Sequence, residues 1–109
     1  MKLNAYCIFD TATGAYMRPW FMNSDGQALR IFGDIACDAE HEVGKHPEDY
    51  SLCRIGVWDD QTAGFAPEKV ETLATGLECV ASSRKGNGAQ LALLDQQVKE
   101  LSDGASNSR

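Results

Sequence analysis

The 109-residue sequence contains no apolar run near the roughly 20 residues that a membrane-spanning helix requires, so no membrane partner is expected. It also lacks a surplus of basic charge. Ten Lys and Arg stand against sixteen Asp and Glu, a net charge of −6, which argues against broad, charge-driven binding to nucleic acid. A local basic patch remains open, although the basic residues are scattered and Arg84-Lys85 is the one basic doublet. The four cysteines, Cys7, Cys37, Cys53 and Cys79, form no C-x-x-C pair. The stretch Met1-Lys2-Leu3-Asn4-Ala5-Tyr6 lacks the basic-then-apolar layout of a secretory signal. The thiols therefore read as reduced, in a cytoplasm, and as small buried hydrophobes. There is no G-x-S-x-G elbow, no phosphate-binding G-x-x-x-x-G-K-[ST] and no dinucleotide fingerprint. A Cys37–His41 or Cys37–His46 pair is the one formal nucleophile–base option, and neither an enzyme nor a cofactor is expected.

What is present suits one soluble α+β domain. Residues 3–9 mix aromatic and β-forming residues and predict a strand. The turn-rich Asp10-Thr11-Ala12-Thr13-Gly14 then leads into a second extended run over 15–21, which together predict a hairpin. Pro19 donates no ladder hydrogen bond and places this second strand at an edge or a bulge. Ser24 with Gln27 matches a capping box. Ala28, Ile31, Phe32, Ile35 and Ala36 follow at helical spacing, predicting a helix from Asp25 to Cys37. Residues 38–50 are polar and read as a surface loop. Residues 51–58 predict a third strand, 59–64 a second hairpin loop, and 65–68 the start of a short fourth strand weakened by Pro67. Residues 75–81 read as strand or irregular chain.

The expected architecture is a small antiparallel sheet of three to four strands packed on one main helix, in the order strand-strand-helix-strand-strand. This α+β domain spans 1–81. A flexible linker (82–89), a C-terminal amphipathic helix (90–102) and a disordered tail (103–109) are expected to follow it. Leu91, Leu94, Val98 and Leu101 repeat with the 3-4-3 spacing of a coiled-coil seam, so they are candidates for self-association, with packing on the chain's own domain as the alternative.

Two constellations have chemical content. Strict alternation would put Tyr16, Arg18 and Trp20 on one side of their strand, and Arg54 and Trp58 together on theirs. In one sheet these five residues would make an aromatic-basic face on which single-stranded bases stack while guanidinium groups hold phosphates. The alternative is that both tryptophans are core residues and both arginines lie at sheet edges. Cys37, His41, His46 and Cys53 offer zinc-type ligands, but no pair has the usual spacing and no metal is expected. The acidic residues around Asp34–Glu42 and at Glu48, Asp49, Asp59 and Asp60 read as a solvated face.

The segment Lys45-His46-Pro47-Glu48-Asp49-Tyr50-Ser51-Leu52, continued by Ile55-Gly56-Val57-Trp58-Asp59-Asp60-Gln61-Thr62-Ala63-Gly64, resembles the signature of the small nonstructural protein of gokushovirus-like microviruses. These are bacteriophages with single-stranded circular DNA. The order of the first part, with Pro19-Trp20-Phe21 ahead of a helix holding Ala28-Leu29-Arg30 and Phe32, is similar as well. The resemblance covers residues 1–66. It implies a nonstructural protein of the host cytoplasm that assists viral DNA replication, in particular the switch to single-stranded genome synthesis, and it carries over no catalytic residue. Single-stranded DNA and phage or host replication proteins are the partners to expect, and a homo-oligomer is a further candidate state. An interaction or scaffold-like protein that never touches DNA fits the acidic charge better.

Overall fold

The computed structural model describes residues 1–83. The expected C-terminal helix, the tail, most of the linker and the candidates Leu91, Leu94, Val98 and Leu101 lie outside them. The chain forms β1 (Lys2–Asp10), β2 (Ala15–Tyr16), β3 (Trp20–Met22), α1 (Asp25–Ala36), α2 (Glu42–Lys45), a 3₁₀ turn (Pro47–Asp49), β4 (Tyr50–Asp59) and β5 (Gly64–Thr75). Residues 76–83 are helical and are called α3. Among the described residues the fold is α+β, a curled antiparallel sheet of five strands with three helices. The strand order is β2-β1-β4-β5, and β3 also pairs with β1.

The expected second strand is two short ones. Phe9 pairs with Tyr16, and Ala5 with Phe21. Between them, residues 17–19 leave the ladder, apart from the Met17 amide, which donates to the Ile8 carbonyl at 2.7 Å. Pro19, which has no amide hydrogen, falls in that gap. The fourth strand is twelve residues long rather than a short stub. Pro67 is tolerated because β5 is an edge strand.

Helix α1 begins as its sequence predicts. The Ser24 hydroxyl accepts the Gln27 amide at 3.3 Å, while the Gln27 side chain accepts the Asn23 amide. Ala28, Phe32 and Ala36 are buried against Tyr6, Ile8, Tyr50 and Leu52. Each such large side chain contributes roughly 1.5–3 kcal/mol.

Two regions depart from expectation. The polar stretch 38–50 is not a featureless loop, because α2 and the 3₁₀ turn order it and bury Val43 completely. His41 caps α2, its Nδ1 accepting the Val43 amide at 3.0 Å. Residues 75–81, read as strand or irregular chain, are strand only at Thr75; α3 takes the rest and continues through residues 82 and 83, where the linker was expected to start. The start signal is a reciprocal capping box: the Thr75 hydroxyl accepts the Glu78 amide at 3.1 Å, and the Glu78 carboxylate accepts the Thr75 amide at 2.8 Å.

The two hairpin loops share one design. In each an aspartate carboxylate accepts the amide two residues on (Ala12 to Asp10, Gln61 to Asp59), and its carbonyl accepts the amide four residues on. That fourth residue is left-handed in both, Gly14 at φ 72° and Ala63 at φ 62°. A side chain there costs about 1 kcal/mol. Ala63→Gly is therefore expected to raise the melting temperature by roughly 4–8 °C. A thermal melt showing no rise would remove the strain assigned to Ala63.

Candidate interaction face

The pairing registers sort the side chains by face. Cys7 pairs with Cys53 and Ile8 with Leu52, so Ile8 and Leu52 face the helices while Cys7 and Cys53 face away. The register then slips: Tyr6 pairs with Arg54 but Ala5 pairs with Gly56, leaving Ile55 as an extra residue on β4. A bulge of this kind changes the phase of the strand beyond it. Arg54 therefore lies on the helix side with Tyr6, and Trp58 lies on the opposite side with Leu3 and Ala5.

The five aromatic-basic candidates are consequently not brought together. Tyr16 pairs with Phe9 and stacks on it, ring centroids 4.7 Å apart, on the side away from the helices. Trp58 lies on that side too, 5.6 Å from the ring of Phe21. Trp20 pairs with Tyr6, contacts its ring at 6.1 Å and packs against the core on the helix side. Both tryptophans are half-buried, and the Trp20 indole nitrogen is buried without a hydrogen-bond partner. Arg18 is exposed in the gap between β2 and β3. The expected shared faces fail for two reasons: the chain is irregular at 17–19, and Ile55 is a bulge.

Arg54 is held by carboxylates. Its guanidinium approaches Asp25 at 3.4 Å and Glu68 at 3.5 Å, and Asp25, then Glu68, raise its pKa further. Asp25 also accepts the Tyr6 hydroxyl at 2.6 Å, while Asn4 donates to that hydroxyl at 3.0 Å. Burial and the Asp25 carboxylate push the Tyr6 phenol up to about 12. This network ties the positive end of α1 to the sheet, which explains Arg54 structurally.

The face turned away from the helices has a different character. Its floor is made of the small residues Ala5, Cys7, Cys53 and Gly56. A Cβ on Gly56 would fall 2.6 Å from Phe65 Cζ, so that ring lies directly over the glycine. Above the floor stand Phe9, Tyr16, Phe21, Trp58 and Phe65, with Tyr16 53%, Phe65 44% and Phe21 41% exposed. Among the described residues no charged side chain occupies a paired position on this face. Phe9, Phe21 and Phe65 were absent from the sequence-level candidates. One signal for the face was legible, because Ala5-Tyr6-Cys7-Ile8-Phe9 is apolar without alternation, the pattern of a strand covered on both sides.

The zinc-type residues are not gathered. His41 caps α2, and Cys53 lies in the floor of the face, where its thiol approaches the Thr72 hydroxyl at 3.9 Å. Among the described residues the grouping with metal-ligand reach is His46, Glu48 and Asp49, on one turn and largely exposed. All four cysteines are free. Cys7 and Cys53 are buried as expected and Cys79 half-buried, but Cys37 is exposed. Burial pushes the Cys7 thiol up to about 11, which makes it a poor nucleophile.

The signature segment itself is a structural clamp. The Asp49 carbonyl accepts from the Thr11 amide at 2.8 Å and from the Thr11 hydroxyl at 3.0 Å. Tyr50 is buried in the core and donates to Glu42 at 2.8 Å. Gly76, at the start of α3, packs against the Pro47 carbonyl. The segment thus joins the first hairpin loop, α2 and α3.

Residues 3–79 match the family model described as Phage ORF5 protein. No curated protein and no solved structure matches the chain.

Proposed function

The chain belongs to the Phage ORF5 protein family, and on that premise we propose that it is a non-catalytic accessory of viral DNA replication acting in the host cytoplasm. In this reading it is the small nonstructural protein of a gokushovirus-like microvirus, and it assists the switch to single-stranded genome synthesis. It does so by protein contact within the replication complex, through the aromatic face of the sheet. One observation carries the choice of protein contact: the face is rich in exposed rings and has no charged residue at its paired positions, while Arg54 is turned away and bound to Asp25 and Glu68. Sequence-tolerant binders of single strands combine stacking rings with a positively charged groove. Uncharged exposed aromatic patches instead mark protein interfaces.

Direct binding of single-stranded DNA is the second reading. The Phe9–Tyr16 and Phe21–Trp58 ring pairs, with Arg18 exposed beside Tyr16, favour it. The two readings separate in affinity capture from infected cells, with and without nuclease, using wild type and Phe21→Asp. An identified replication protein retained after nuclease, and lost with Phe21→Asp, is the expected result. Retention of replication proteins only while nucleic acid is intact would overturn protein contact. Fluorescence anisotropy with labelled single-stranded DNA, showing salt-sensitive micromolar binding weakened by Arg18→Ala, would then establish the second reading.

A further inference from the structure

We propose that the aromatic face is a homotypic interface, and that two copies of this chain pair through it face to face. This rests on the reading above that the face works by protein contact, and it names the first partner. In a two-fold contact each patch meets its own copy, so a charge near the axis would face its like. The chain as a whole is acidic, at −6. Its helix side displays Asp34, Asp38, Glu40, Glu42 and Glu48 against Arg30 and Lys45 as exposed residues, and its edge strand carries Glu68 and Glu71 against Lys69. Both surfaces keep a net acidic excess, so two copies approaching through either one work against like charge. The aromatic face, uncharged at its paired positions, lets them meet without that cost.

The strand pattern points the same way. β1 is apolar on both sides across Ala5–Phe9, yet among the described residues α1, α2 and α3 are the helices and α1 and α2 supply the core of one side. A second sheet laid on the other side completes the two-layer arrangement that such a strand requires. Phe21, Phe65 and Tyr16 are held half-exposed on paired strands. Rings positioned in this way lose little side-chain freedom on association, the quality that makes aromatic residues effective anchors.

Sedimentation of the full chain at tens of micromolar tests this. A species of twice the 11.9 kDa chain mass is expected, with little change between low and moderate salt because no ion pair is screened. Phe21→Asp should weaken the dimer roughly 30-fold or more, and Tyr16→Lys, at the most exposed ring, provides the same reading should Phe21→Asp not fold by circular dichroism. Leu94→Asp, in the C-terminal stripe, should leave the dimer intact. A monomeric wild type, a dimer indifferent to both face variants, or one abolished by Leu94→Asp alone would overturn the proposal. A monomeric wild type that still loses its captured replication protein on Phe21→Asp would sink the homotypic contact while leaving the proposed function standing.

Discussion

Gly44→Ala is expected to cost about 3 kcal/mol or more and to lower the melting temperature by roughly 12 °C or more. Gly44 lies in α2, where the chain turns back over the end of α1. A Cβ there would collide with the Asp38 carbonyl and lie 2.9 Å from the Ile35 carbonyl oxygen. Both are backbone atoms, one in the last turn of α1 and one just past its C-cap, so relief requires moving the helix end and its exit rather than a side chain. The displacement would also pull on Val43, which is fully buried beside Gly44. Gly33 supplies the control, because a Cβ there meets nothing within 4 Å. Gly33→Ala, in the body of α1, should stabilise by roughly 0.5–1 kcal/mol through the backbone entropy that glycine forfeits on folding. Opposite signs at the two positions in thermal melts would establish the close approach. A Gly44→Ala melt within two or three degrees of wild type would refute it.

The same chemical deletion at two phenylalanines should give opposite kinds of result. Phe32 is fully buried on the helix side, among Tyr6, Ile8, Tyr50 and Leu52. Phe32→Ala is expected to cost about 3–5 kcal/mol, a large share of the 5–15 kcal/mol available to a typical domain. Phe21 is 41% exposed on the aromatic face. Phe21→Ala should cost less than about 1 kcal/mol, since half of its ring already meets water and little cavity is left. Its effect should appear in association instead. Chemical denaturation paired with sedimentation resolves the two, with Phe32→Ala moving the first measurement and Phe21→Ala the second. Equal losses of stability would mean that the aromatic face is core rather than interface.

Local chemistry announces itself in local sequence, and several elements of this protein were legible for that reason. Ser24 with Gln27, followed by an apolar stripe, located α1 to within one residue of its end. The turn residues at 10–14 and 59–64 located both hairpin loops. Thr75 with Glu78 carries the same type of signal for α3, and reading 75–81 as strand or irregular chain passed over it. Val43 was hidden because a four-residue helix is too short to show a periodic stripe.

What the sequence by itself determined is the α+β class, the main helix and the strand regions. The tertiary structure alone decided which side chains share a face. Alternation assigns faces only while a strand keeps its phase, and two interruptions broke it, the gap at residues 17–19 and the extra residue Ile55. Pro19 marks the first locally, but the change of phase at either is not readable there, because it exists only relative to the strand that pairs with it. They divided the aromatic-basic set, sending Arg54 to Asp25 beneath α1 and leaving Tyr16 and Trp58 among phenylalanines on a face uncharged at its paired positions.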